Sequence, residues 1–268
     1  MILSKSCLPA VLTLFLFSIS CKKEDITGAT GPQGPPGKAG DSTLSGPVYG
    51  KVALYDTLGN SIPDNSGVSV LFENSSPLIN LSTAADGSFS APNVPAGNYN
   101  ITASRTGFGS MKLFQFRHSG GINTSQTGMI VMGQQMSSWM DIENLAVDTG
   151  TAYGSHYMEF TITLAHPQVY PKSQVLIYFS HTPGAGNSSN DYVYRGYFFQ
   201  RDNSTLTLHY DYSLSFYTDK FDRLDDVYIS AAIDNPKLFS YTDSVGNTVY
   251  PAAGHLSNEV KVYNNLKN

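Results

Sequence analysis

The chain has 268 residues, 41% of them hydrophobic, with 16 Lys and Arg against 21 Asp and Glu for a formal net charge of −5. An acidic chain without a basic patch argues against nucleic acid as a partner. After the N-terminal segment there is no apolar run of the roughly 20 residues that a membrane-spanning helix needs.

The first stretch, 1–20, reads as a targeting signal. Lys5 supplies a small positive region, and Cys7–Phe17 is an apolar run interrupted only by Pro9 and Thr13. It is too short to span a bilayer and has the proportions of a cleaved leader. Ser18-Ile19-Ser20-Cys21 resembles a bacterial lipobox, with small residues ahead of the cysteine and Ser18 in place of the usual leucine. The resemblance implies cleavage before Cys21 and lipidation of its thiol. Cys7 and Cys21 are the two cysteines of the chain, so removal of one and acylation of the other leave no thiol for a disulfide, a metal or a nucleophile. Lys22, Lys23, Glu24 and Asp25 come directly after. A lysine followed by two acids beside the lipidated cysteine resembles the surface-export signal of Bacteroidota lipoproteins, which implies an outer-membrane protein facing the cell exterior.

Residues 21–45 form a linker. Gly28, Gly31, Gly34, Gly37 and Gly40 recur at every third position with prolines between them, the composition of collagen. The segment is short for a triple helix. Read as a polyproline II spacer at about 3.1 Å per residue, it lifts the folded part of the chain roughly 40 Å from the membrane. We take the spacer and a monomer, with a trimer through 28–40 as the alternative.

Residues 46–133 read as a β-sandwich. Val48-Tyr49-Gly50-Lys51-Val52 and Val68-Ser69-Val70-Leu71-Phe72 alternate as strands. Asp86-Gly87 is a two-residue hairpin signal. Pro92 and Pro95 suit an extended crossing, and Gly97 releases the chain into Tyr99, Ile101 and Ala103. The expectation is a positive φ at Gly97 and an inward Tyr99 with its hydroxyl paired. Gly107-Phe108 turns the chain into Met111, Leu113 and Phe116, and Gly128–Met132 closes the sandwich. The composite of Val48–Val52, the valine strand, Asp86-Gly87-Ser88-Phe89, Val94-Pro95-Ala96-Gly97-Asn98-Tyr99 and Gly107-Phe108 resembles the carboxypeptidase regulatory-like family. That resemblance implies a transthyretin-like sandwich without catalytic activity, an accessory or stalk domain whose fold is similar to that of some carbohydrate-binding modules.

Residues 134–268 read as a second all-β sandwich of short strands. Met158, Phe160, Ile162 and Leu164 alternate with polar residues, as do Val175, Ile177 and Phe179, and Leu206, Leu208, Tyr210, Tyr212, Leu214 and Phe216. Val227–Ile233 and Glu259–Tyr263 read as a final strand pair, similar to the end of a fibronectin type III or immunoglobulin-like domain. The connection between them is long, and long connections are more often functional or mobile than short ones.

Candidate chemistry is sparse. His118, His156, His166, His181, His209 and His255 lack metal-ligand spacing, and no Gly-x-Ser-x-Gly elbow is present. The acidic run Asp219–Asp226 offers hard oxygen ligands for Ca²⁺ but lacks the order and glycine of an EF-hand, and is read as a solvated loop. Tyr192, Tyr194 and Tyr197 lie in the densest aromatic run and are candidate ligand contacts, since flat rings with a hydroxyl suit sugar stacking. Asp41-Ser42-Thr43, Asp56-Thr57-Leu58 and Asp243-Ser244-Val245 resemble a Bacteroidota O-glycosylation motif, which implies Ser42, Thr57 and Ser244 as acceptors. No catalytic residue, metal or cofactor is assigned. The expected function is a non-catalytic, lipid-anchored surface protein acting as a structural or binding module. A glycan-binding accessory lipoprotein and a hydrolase with its site in the second sandwich are the alternatives; the expected partners are membrane lipid and either a glycan or another outer-membrane protein.

One acyl chain holds a protein to a membrane only marginally, whereas two or more anchor it stably. Cys21→Ala should therefore shift the protein from the membrane to the soluble fraction and abolish uptake of labelled fatty acid; a variant that stays in the membrane would refute the lipobox.

Overall fold

The computed structural model describes residues 44–152, 155–166, 173–184, 186, 192–198, 205–212, 226–237 and 239–263. Alternation through Ser45–Tyr55 makes the first strand, β1, which sends Val48, Val52 and Leu54 to one side. The next strands are β2 (Ser69–Phe72), β3 (Ile79–Ser82), β4 (Ser88–Pro95), β5 (Gly97–Ser104), β6 (Met111–His118) and β7 (Ser125–Gly133). β1 lies between β4, antiparallel, and β7, parallel, in a three-stranded sheet. An antiparallel sheet in the order β3–β2–β5–β6 faces it. Val48, Leu54, Val70, Phe72, Phe89, Tyr99 and Ile101 from the two sheets share one core.

The Tyr99 reading holds. Its ring is 5% exposed and meets Phe72 edge-on, with centroids 5.6 Å apart, and its hydroxyl donates to the Pro95 carbonyl at 2.6 Å. Two neighbouring readings are corrected. Gly97 is an ordinary strand residue without positive φ. A Cβ there would fit tightly, 3.3 Å from the Tyr99 hydroxyl oxygen. Asp86-Gly87 does not join a paired hairpin, since β3 and β4 belong to different sheets. Gly87 alone takes positive φ (80°), its N–H donates to the Ala84 carbonyl and Ala84 N–H to the Ser88 carbonyl. The result is a tight corner between sheets, at which the Gly87 carbonyl accepts from Val52 N–H at 2.9 Å. The prolines sit as edge strands allow: β4 is an edge, and its pairing with β1 shifts register between Gly46 and Val48.

A turn of 3-10 helix, Ser138–Met140, leads into the second sandwich. Its strands are β8 (Ile142–Ala152), β9 (Ser155–Leu164), β10 (Ser173–Ser180), β11 (Tyr192–Phe198), β12 (Thr205–Tyr212), β13 (Asp226–Asp234), β14 (Tyr241–Thr242), β15 (Thr248–Val249) and β16 (Val260–Tyr263). One sheet runs β12–β9–β8 and the other β11–β10–β13–β16, all antiparallel. Met158, Phe160, Ile162 and Leu164 meet Val175, Ile177, Phe179, Ile229, Ala231 and Ile233 in a second core. The alternation read in β9 is therefore the burial observed. In β10 it is only half of it, for Leu176 and Tyr178 on the opposite face are buried as well.

What buries them is the connection from β13 to β16, which carries the β14–β15 hairpin. Read in the sequence as a functional or mobile loop, it is a strap across both sandwiches. On the first, Phe239 and Ala252 join the core. Phe239 lies 5.3 Å from the Tyr55 ring, Lys237 Nζ sits 4.3 Å from the same ring, and Asn235 Nδ2 donates to the Asp56 carbonyl at 2.6 Å. On the second, Gly254 and Ser257 N–H groups donate to Ile233 and Ala231, and the Asn258 amide both accepts from and donates to the Leu145 backbone.

Tyr99→Ala should cost about 3–5 kcal/mol, as a large core truncation. Tyr99→Phe keeps the ring and loses one hydrogen bond, so about 1 kcal/mol is expected. Urea unfolding separates the two, and a Tyr99→Ala protein as stable as wild type would require a new register for β5. Phe239→Ala should also lower stability by about 3–5 kcal/mol and divide a single unfolding transition into two.

Candidate functional site

The strap makes a cleft where the chain crosses from one sandwich to the other. Three segments line it: Gly107 from the β5–β6 turn, Gln134–Ser137 from the crossing, and Gly254 and His255 from the strap. Its volume is about 330 Å³, at the small end of ligand pockets. Backbone bonds hold the walls. Gln135 N–H donates to the Gly107 carbonyl at 2.9 Å, Gln134 N–H to Tyr55 at 2.8 Å and Met136 N–H to Ala252 at 3.0 Å. Gly107 needs its positive φ of 82° to turn that carbonyl inward to Gln135. Met136 is buried as the floor, while the side chains of Gln134, Gln135 and Ser137 are exposed.

His255 supplies the cleft's ionisable group. Its Nδ1 lies 2.9 and 3.2 Å from the two carboxylate oxygens of Asp141. A neutral imidazole in this pose donates from Nδ1 and leaves Nε2 as an acceptor. The ring is 76% exposed, so the pair adds little stability and serves mainly to orient the ring. Ser137 shares the cleft, but no hydrogen bond joins it to His255 among the described residues. A base–nucleophile pair needs that bond. The arrangement presents amides, a hydroxyl and an imidazole, hydrogen-bonding groups that suit a neutral polyhydroxylated ligand.

A second, shallower groove of about 220 Å³ lies on the outer face of the three-stranded sheet, lined by Tyr49, Gly50, Lys51, Gln126, Gly128 and Met129. A register shift in the β1–β7 pairing opens it. Its one charge, Lys51, is drawn to Asp86 at 3.5 Å.

The sites read from the sequence do not converge on either place. Cys21, Lys22, Lys23, Glu24, Asp25 and Ser42 lie outside the described residues, as does the acidic run up to Asp225. Asp226 pairs with Lys261 at 2.7 Å. The backbones of Tyr192, Tyr194 and Tyr197 pair with Phe179, Ile177 and Gln174, so the three residues occupy both parities of β11. Thr57 is half-buried and Ser244 is exposed, on two turns of matching build. In the first, Asp56 Oδ1 accepts from Leu58 and Asn60 N–H; in the second, Asp243 Oδ1 accepts from Val245 and Asn247 N–H. His118 is a buried structural residue, with Nδ1 2.8 Å from Ser125 Oγ and Nε2 3.0 Å from the Val94 carbonyl. Among the described residues no group of three His, Cys, Asp or Glu could hold a metal. Sequence reading missed the Asp141–His255 pair, whose members are 114 positions apart and share no motif.

No protein-family model matches the chain, and no curated protein matches it. Among solved structures, a DUF3823 family protein from Parabacteroides merdae is 16% identical, with 82% of this chain and 99% of that one covered at a TM-score of 0.28. A candidate carbohydrate-binding protein from Bacteroides uniformis is 12% identical, with 81% and 98% covered at 0.28. A DUF3823 family protein from Bacteroides ovatus is 14% identical, with 82% and 98% covered at 0.27. At TM-scores this low, these likenesses identify neither a family nor a ligand for this chain.

Proposed function

We propose that the chain is a non-catalytic surface lipoprotein of the outer membrane whose two sandwiches form one glycan-binding module. The observation that carries the ligand is the junction cleft, with its exposed amides and hydroxyl and its imidazole fixed by Asp141. Neutral sugars are bound by such groups in networks of single hydrogen bonds. The anchor is lipidated Cys21, the export signal is Lys22–Asp25, and 28–40 is the spacer that carries the module out from the membrane. The first sandwich is of the carboxypeptidase regulatory-like kind, and Ser42, Thr57 and Ser244 are the chain's acceptors for O-linked glycans. The strap supports the module reading, since a site built from two sandwiches needs them held in one arrangement. The hydrolase alternative has one observation in its favour, the Asp141–His255 pair beside Ser137.

Titration calorimetry with neutral oligosaccharides tests the site. Gln135→Ala with His255→Ala should weaken binding at least tenfold, about 1.4 kcal/mol, while Met129→Ala in the shallow groove should leave it unchanged. Equal binding by the double variant would remove the cleft from the reading. Ester or glycoside hydrolysis that disappears with His255→Ala would establish the hydrolase instead.

A further inference from the structure

The face of the β11–β10–β13–β16 sheet turned away from the second core is covered by the strap. Leu176, Tyr178 and Ala232 from the sheet pack there against Tyr250 and Ala253 of the strap. Two polar residues are buried among them, Gln174 and Asp234, at 1% and 0% exposure. They stand directly opposite each other in the β10–β13 register, the closest cross-strand placement a sheet offers.

Each side chain has one polar atom bonded and one oxygen left over. Asp234 Oδ1 accepts from Asn235 N–H at 2.7 Å, and Gln174 Nε2 donates to the Pro236 carbonyl at 2.9 Å. Asp234 Oδ2 and Gln174 Oε1 have no partner. Two buried acceptors on directly facing residues thus lack a donor, and leaving a buried polar atom unpaired costs about 1–3 kcal/mol. A proton on the carboxyl satisfies both atoms at once and removes the charge, which burial makes costly.

We infer that Asp234 holds a proton in the folded protein, donates it from Oδ2 to Gln174 Oε1, and thereby closes a proton-operated latch that seats the strap on the first sandwich. The bonds run on from there. Asn235, whose N–H caps Asp234, donates its side-chain amide to the Asp56 carbonyl of the first sandwich at 2.6 Å and accepts from Lys237 N–H. Burial pushes the Asp234 carboxyl up to about 7, against the Asn235 N–H that alone lowers it.

Other titratable groups surround the latch. Burial raises Tyr178 of β10, so it stays a neutral phenol, and its hydroxyl is a third buried polar atom there without a hydrogen-bond partner. Lys237 is turned to the Tyr55 ring. The Asp56 carboxylate is taken up by Leu58 and Asn60 N–H. His255, farther along the strap, is an ionisable partner of Asp141.

The direction of the pH effect comes from linkage. The closed state holds the proton more tightly than the open one, where an ordinary carboxyl titrates near 3.8. The stabilisation is complete below about 4, is lost as pH rises toward about 7, and is level above it.

Hydrogen exchange on the full chain carrying His255→Gln tests this, with protection factors taken from pH 4.5 to 8. Protection across 239–258 should fall about tenfold per pH unit up to about 7 and then level off. Adding Asp234→Asn, whose amide donates to Gln174 without titrating, should flatten that dependence. Tyr178→Phe should leave it in place. An unchanged slope with Asp234→Asn, or no slope in the starting protein, overturns the latch; a slope abolished by Tyr178→Phe makes the phenol the partner and overturns the Gln174 assignment. If Asp234→Asn does not fold, infrared spectroscopy of the His255→Gln protein decides: a protonated-carboxyl band at pH 6 that vanishes at pH 8 supports the latch, and its absence overturns it.

Discussion

Phe239 belongs by chain order to the second sandwich and by packing to the first. Its burial beside Tyr55 and Ala252 is the contact on which the arrangement of the molecule depends. A buried phenylalanine contributes about 1.5–3 kcal/mol on transfer from water, enough to hold a strap whose remaining bonds are individually modest. Gly133 shows how close the fit is, because a Cβ there would lie 2.3 Å from the Phe239 ring. Gly109 repeats the lesson, with Pro251 as near as 2.4 Å. Two glycines of the first sandwich are thus explained by a segment more than a hundred positions away.

That separation also explains what could be read in advance. Alternation is local, so Met158–Leu164 in β9 declared its buried face without knowledge of its neighbours. Tyr99 was legible for the same reason. Gly97 was misread because a glycine beside prolines suggests a backbone need, whereas its backbone is that of an ordinary strand residue and its nearest neighbour is the Tyr99 ring two residues on. The second buried face of β10 was invisible. Leu176 and Tyr178 resemble the outer residues of any half-exposed strand until the strap covers them. The Asp141–His255 pair was invisible too, since its geometry exists only once the strap is docked.

The strap also links the two places of chemical interest. Its start borders the buried Gln174–Asp234 pair, and Gly254 and His255 near its end form a wall of the cleft. Any loosening that frees Phe239 therefore reaches the cleft, through Met136, whose N–H is bonded to Ala252 while its side chain lies in the second core. Coupling of this kind needs no special pathway. It requires only that one covalent segment contribute to both sites and that its docking be of limited stability.

The two Asp-(Ser/Thr)-aliphatic-Gly-Asn turns, 56–60 and 243–247, separate pattern from purpose. In each, one aspartate oxygen accepts from the N–H groups two and four residues on, and the other lies near the closing asparagine amide, at 3.1 and 3.4 Å. Gly59 and Gly246 take φ of 78° and 97°, a conformation that favours glycine. The aspartate, glycine and asparagine are therefore accounted for by the turn alone. The hydroxyl residue at the second position is not, and neither is the exposed aliphatic residue after it, Leu58 in one turn and Val245 in the other. No backbone bond of the turn requires these two side chains, and solvent would be satisfied by any polar pair. It is in those two positions, and not in the aspartate that makes the motif recognisable, that a function of the turns must be sought.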